Sequence, residues 1–235
     1  MNVFWERQLS EIREQLLLMS GLTERSLVTS LRGLVERDDS LCEAVEEEDS
    51  QIDLLEVQID EMVITYMATH GPVAKDCRFM LAASKISSNL ERIADQATKI
   101  ARNAKGLNQE PLFKPLIDIP LMAEIGREML RDSISSYIEG KPDLAVEIIA
   151  RDRSVNDLYK QLARELTSYM IEDPKTITRA LSLLTIAKAL ERVADHATNI
   201  AEEVFYLYKG QDIRHERVRK LAAAARREEN GSDRG

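Results

Sequence analysis

The chain has 235 residues, 44% of them hydrophobic and 31% charged, and a formal net charge of −9. That supplies apolar material for one large or two small packed cores, while the negative charge repels phosphate backbones and argues against a nucleic-acid partner. Nine glycines and six prolines are too few for the closely spaced turns of a β-sandwich, and no segment approaches the roughly 20 consecutive apolar residues that span a bilayer.

The first predicted helix carries Glu6, Arg7, Glu11, Arg13 and Glu14 near its start, which excludes the apolar core of a signal peptide. Phe4 and Trp5 are expected to pack the end of this helix. Asp38-Asp39-Ser40 supplies a cap for a second helix, whose apolar seam runs Ile52, Leu55, Ile59, Met62, Tyr66 and stops at His70-Gly71-Pro72. A third seam runs Ile86, Leu90, Ile93, Ala97, Ile100. These gaps of three and four are the period of a helix that buries one face. Gly106, Pro111, Pro115 and Pro120 then interrupt the helical pattern and mark a linker. Gly140-Lys141-Pro142 and Asp173-Pro174 divide the remainder into three more helices. The last of these has the seam Leu183, Ile186, Leu190, Val193, Ala197, Ile200, Val204, Leu207. Arg214 to Arg227 forms a basic, helix-like tail, followed by Asn230-Gly231-Ser232, which reads as disordered. Cys42 and Cys77 have no metal-type spacing and suit a reduced, cytoplasmic chain.

An internal duplication organises these elements. Leu90-Glu91-Arg92-Ile93-Ala94-Asp95 matches Leu190-Glu191-Arg192-Val193-Ala194-Asp195, and the match continues through Ala97-Thr98 and Ile100-Ala101. Further upstream the displacement is 103 residues: Asp49, Ile52 and Leu55 fall on Asp152, Val155 and Leu158, and Thr65-Tyr66-Met67 on Ser168-Tyr169-Met170. One three-residue deletion near Gly71-Pro72 reconciles the two offsets. The fold class is therefore all-α, two tandem three-helix bundles related by internal duplication. Residues 1–105 form the first repeat, 106–119 a linker, 120–210 the second repeat and 211–235 the tail.

At about 100° per residue, Glu91 and Asp95 lie opposite the seam of their helix, as do Glu191 and Asp195, with Asn199 and Glu202 extending the second stripe. All are expected to be exposed. In the preceding helices, Asp49, Asp53, Glu56 and Asp60 flank the first seam. The second half keeps Asp152 but has Asn156, Tyr159 and Ala163 at the other places. Carboxylates four residues apart on a helix repel, and a hard cation bridging them would remove that repulsion. The alternative reading is a solvated charged face. Asp95 can pair with Lys99, whereas Asn199 replaces that lysine in the second half. The metal reading is accordingly placed on Glu191, Asp195 and Asn199 ahead of the first half. Lys188 remains within reach of Glu191. His70, His196 and His215 read as surface or capping residues, with a minor ligand role open to His196. No histidine has a glutamate three positions before it, which excludes the Glu-x-x-His pairs of a di-iron carboxylate oxidase.

The paired hexapeptides, followed by Tyr206-Leu207-Tyr208-Lys209-Gly210-Gln211-Asp212-Ile213-Arg214-His215, resemble the PhoU family from about Phe4 to His215. The resemblance implies a non-enzymatic, cytoplasmic, commonly homodimeric regulator of phosphate uptake and a negative regulator of the phosphate-starvation response. It would act as an adaptor between the ATPase subunit of the phosphate ABC transporter and a phosphate-sensing histidine kinase. It also implies metal clusters (magnesium, manganese, iron or zinc) held by Glu91, Asp95, Glu191, Asp195 and the helix-two acids beginning at Asp49 and Asp152. Asn156, standing where Asp53 stands in the first half, departs from that pattern. A regulator of a different phosphate transporter and a purely structural helical spacer are the rival readings. Neither a Gly-rich phosphate loop nor an Arg cluster is evident in the sequence.

Overall fold

The computed structural model describes residues 3–71 and 73–213. The side chains of Phe4, Trp5 and His70, and the whole of the chain from Arg214 on, including His215 and the basic tail, lie outside the described residues. Six helices follow one another: α1 Val3–Val35, α2 Asp39–His70, α3 Ala74–Asn108, α4 Asp118–Glu139, α5 Leu144–Glu172 and α6 Ile177–Lys209, with a single 3₁₀ turn, Pro174–Thr176, before α6. No strand occurs among the described residues.

Local chemistry sets the helix ends. The Asp38 side chain accepts from the Ser40 backbone N–H and so starts α2. Gly71 at φ 55° ends α2 and Gly140 at φ 64° ends α4, each in the left-handed region that a residue with a Cβ resists. The three-residue offset of the duplication has a physical location. Three positions, 71–73, separate α2 from α3, whereas Asp173 alone stands between α5 and the 3₁₀ turn. The deletion removed a loop and no helical turn. Between the repeats, α3 continues to Asn108 and α4 begins at Asp118, so Pro111 and Pro115 lie in the connection and Pro120 in the first turn of α4, where its missing N–H is no loss.

In the first half α1, α2 and α3 pack on one another, and in the second α4, α5 and α6 do the same. The halves join along α3 and α6, which pack extensively together, and along α1 and α4. One continuous core runs through both halves. Leu90, Ile93, Ala97 and Ile100 of α3, and Leu190, Val193, Ala197 and Ile200 of α6, are fully buried in it. The small residues Ala94, Ala101, Ala194 and Ala201 are buried too and let the two central helices come close. The seams read from the sequence are thus the core.

Gly33 marks a close approach between helices. A Cβ built there would lie 2.5 Å from Cys42 Sγ and 3.3 Å from the Asp38 carbonyl oxygen. Gly33→Ala is expected to destabilise the protein by about 1–2 kcal/mol, since overpacking outweighs the gain in helix propensity. Urea unfolding checks this. Adding Cys42→Ala, which removes the sulfur in the way, is expected to recover part of the loss.

Candidate functional site

The acids are not simply exposed. Asp95 and Asn199 are exposed, but Glu91, Glu191, Asp195 and Glu202 are half-buried. This corrects the outward-facing stripe expected from the helical wheel. In a three-helix bundle each of α3 and α6 is flanked by two helices, and here each also packs on the other. Less than half of its circumference is therefore left to solvent, and the position opposite the seam falls into a groove. Glu91 and Asp95 face α2, and Glu191 and Asp195 face α5.

Two carboxylate groups result. In the first half, Asp49 and Asp53 with Glu56 on α2 meet Glu91 and Asp95 on α3. Cations zip the adjoining stretch of this interface: Arg102 to Glu46 at 3.1 Å and Lys105 to Glu43 at 3.2 Å. The zip stops there. Lys99 is exposed and no ion pair joins it to Asp95. Burial, and then Asp95, Glu56 and Asp53, push the Glu91 carboxyl up to about 7. Asp49 is likewise held above its ordinary range by burial, with Asp53 and Asp95 adding to it.

In the second half, Asp152 of α5 meets Glu191 and Asp195 of α6. Burial raises Asp195 first, and Glu191 and Asp152 raise it further. Asp152 is raised by burial and by Glu191. Asn156 donates to Asp152 Oδ2 at 2.7 Å, so the residue that departs from the acid pattern is a partner within the group. Lys188 Nζ pairs with Glu191 and sits 5.3 Å from the Tyr159 ring centroid, which occupies the place of Glu56. The built-in cation is therefore in the second half, reversing the expectation that Lys99 would neutralise the first. Asn199 turns toward α3, donating to Asn89 Oδ1 at 3.3 Å, and Glu202 lies two turns beyond Asp195 on α6.

His196 is also corrected. It is buried between the halves with Nδ1 3.0 Å from the same Asn89 oxygen. Because that oxygen can only accept, Nδ1 carries the proton. Burial, followed by the Arg92 and Arg192 guanidiniums, pushes its pKa down to about 4. Sequence reasoning also missed Lys85 and Glu203, an ion pair at 3.1 Å linking α3 to α6, with Glu203 buried.

Among the described residues, no three His, Cys, Asp or Glu side chains already converge as a ligand set. The donors nevertheless fit a hard cation in kind. Both groups are carboxylates with access to water, and Asp152 Oδ1 is buried without a hydrogen-bond partner. Side-chain rotation would have to bring them together.

The pH consequence of Glu91 has a definite sign. Its carboxyl binds protons more tightly folded (about 7) than at its ordinary 4.5, so stability falls as pH rises between those values. Glu91→Gln is expected to leave stability near pH 5 almost unchanged and to raise it at pH 8 by about 1 kcal/mol, after discounting for solvent screening. Thermal unfolding across pH 5–8 measures this. A slope unchanged by the substitution would contradict it.

An all-helical duplication whose two central helices each repeat Leu-Glu-Arg-(Ile/Val)-Ala-Asp, with the acids turned into interhelical grooves, defines a tandem-repeat helical protein with paired carboxylate sites. The PhoU domain matches residues 16–104 and 119–204. Among curated relatives, a phosphate-specific transport system accessory protein PhoU homolog of Pseudomonas putida is 38% identical over 92% of this chain and 85% of its own length. A homolog so named in Aquifex aeolicus is 39% identical over 91% of this chain and 97% of its own. The Escherichia coli K12 accessory protein PhoU is 34% identical over 88% and 86%. The crystal structure of PhoU from Pseudomonas aeruginosa superposes with a TM-score of 0.86 at 35% identity, covering 88% of this chain and all of that one. The chain belongs to the PhoU family. No helix among the described residues is long and apolar enough to cross a membrane.

Proposed function

We propose that this protein is a non-enzymatic accessory and regulator of a phosphate-specific transport system. It works in the cytoplasm as an adaptor between the transporter's ATPase subunit and a phosphate-sensing histidine kinase, and holds the starvation response off when phosphate is plentiful. The observation that carries this reading is the match, along nearly their whole length, to relatives named as accessory proteins of that system. The architecture suits the role. Helices of 22–35 residues joined by short connections give a stiff body with broad faces for two partners. An open surface cleft between α1 and α4 is lined by Val28, Leu31, Val35, Pro120 and Ala123 and rimmed by Arg32, Glu36, Glu124 and Arg127. Switching requires that phosphate status change the affinity of the protein for one partner relative to the other.

Metal ions belong to the same proposal. Asp49, Asp53, Glu91 and Asp95 would hold one group of ions and Asp152, Glu191 and Asp195 another, with Asn199 and Glu202 as further donors. A bound cation would supply charge neutralisation, locking α2 to α3 and α5 to α6.

The test of the adaptor role is capture of partners from lysate of cells grown in high and in low phosphate. Recovery of the transporter ATPase and of a sensor kinase, in amounts that change with phosphate, is the expected result. Recovery of neither from folded bait at normal abundance would overturn the adaptor reading. Recovery of a different phosphate transporter would reassign the protein to that system.

A further inference from the structure

The two repeats differ sharply on the outward face of the middle helix. In α2, Leu54, Val57, Ile64 and Met67 are exposed, and Leu54, Val57, Glu61 and Ile64 follow one another along one stripe. Displaced by 103 residues, the same stripe of α5 reads Asp157, Lys160, Arg164 and Thr167. There Asp157 and Lys160 pair with each other at 3.3 Å, and the face is polar and self-satisfied. The fold therefore does not require an apolar stripe at this place.

The α2 face is acidic as well. The helix holds ten Asp and Glu and no Lys or Arg, whereas α5 holds five acids and four bases. Some α2 acids are matched across the bundle: Glu43, Glu46 and Glu48 pair with Lys105, Arg102 and Arg25. Glu47 and Glu61, exposed on the apolar stripe, make no ion pair. A second copy of this face would set acid against acid. The complementary surface is a basic segment with apolar residues on one side.

The chain contains such a segment. Residues 214–227 carry six Lys and Arg and one acid, and Val218, Leu221, Ala222 and Ala225 recur at helical spacing with Arg217 on one flank and Arg219 and Arg226 on the other. Its point of departure is suitable. The Tyr208 hydroxyl at the end of α6 donates to the Tyr137 carbonyl at 2.9 Å, and Phe79 at the start of α3 stacks on the Tyr137 ring with centroids 6.4 Å apart. The end of α6 is thus at the same end of the molecule as the turn from α2 to α3. Fourteen residues reach about 21 Å as a helix and more when extended.

We propose that the basic segment 214–227 docks in cis on the outward face of α2, its apolar side on Leu54, Val57 and Ile64 and its basic flanks beside Glu47 and Glu61. This stands apart from the phosphate reading and survives or fails independently of it. The segment is rich in trypsin sites, so limited trypsin trimming of the full chain reports docking. The comparison variant is Leu54→Asp with Ile64→Thr, which installs residues that the second repeat carries at the same helical positions. Circular dichroism confirms its helicity. The tail of the variant is expected to be trimmed about fivefold faster or more at low salt, and added salt is expected to bring the unaltered chain toward the same rate. A labelled peptide of residues 214–235 is expected to bind a chain ending at Ile213, more weakly as salt rises, and not to bind the variant. Equal trimming rates together with no peptide binding would overturn the proposal. Protection that grows with protein concentration would also overturn it, assigning the contact to the tail of a second copy. Unchanged trimming with lost capture of another protein would overturn it too and give the face to that partner.

Discussion

Replacing Lys85 by Met is expected to cost about 3 kcal/mol, the largest effect of a single side-chain change outside the apolar core. Lys85 Nζ lies 3.1 and 3.3 Å from the two oxygens of Glu203, whose side chain is only 5% exposed while that of Lys85 is 32% exposed. The ammonium is supplied from the rim, and the carboxylate sits in the seam between the repeats. Taking away the cation removes this counterion from a buried carboxylate, and its desolvation loses part of the attraction that offsets it. Because water reaches Lys85, the cost falls at the lower end of the range for buried pairs. The double variant Lys85→Met with Glu203→Leu is expected to recover most of the loss, since an apolar pair of similar volume has no charge to solvate. Urea unfolding of the two singles and the double completes the cycle. Equal losses in the single and the double would show that the pair does not lock α3 to α6.

The reason this pair escaped sequence reasoning shows where such reasoning stops. Periodicity reports which face of a helix is apolar, so the seams of α2, α3 and α6 and the duplication that relates the halves were legible from spacing alone. The helix ends were legible because Asp38, Gly71 and Gly140 each answer a local requirement of the backbone. Periodicity carries no information about how many neighbours a helix has. α3 and α6 each pack on three: the contact between them buries Glu203 and His196, while α2 and α5 draw Glu91 and Glu191 into grooves. The place of the cation followed the same rule. Asp95 and Lys99 are four apart on one helix, a spacing that allows a pair, yet no ion pair joins them, whereas Lys188, which stands where the first half has Ser88, pairs with Glu191 and lies 5.3 Å from the Tyr159 ring centroid of α5.

That reversal sets the expected outcome of adding metal. Manganese, iron or zinc at about 100 times its dissociation constant is expected to stabilise the folded protein by about 2.7 kcal/mol per site, a rise in melting temperature of roughly 5–10 °C for a chain of this size. The first half is expected to contribute more. There Asp49, Asp53, Glu91 and Asp95 crowd together with no ion pair to Lys99, so a cation offsets the burial, and then the carboxylate repulsion, that displace Glu91 upward. In the second half a metal must compete with Lys188 for Glu191. Glu91→Gln with Asp95→Asn is therefore expected to remove the larger part of the thermal shift, and Asp152→Asn with Glu191→Gln the smaller. Lys188→Met is expected to strengthen the response of the second half, because removing the resident cation leaves Asp152, Glu191 and Asp195 in want of another. Calorimetric melting with and without each ion, alongside the metal content of the dialysed protein, reads all three. A thermal shift and metal content left unaltered by both carboxylate pairs would place the ions elsewhere. A second-half response that Lys188→Met leaves unchanged would show that the ammonium does not stand in for the ion.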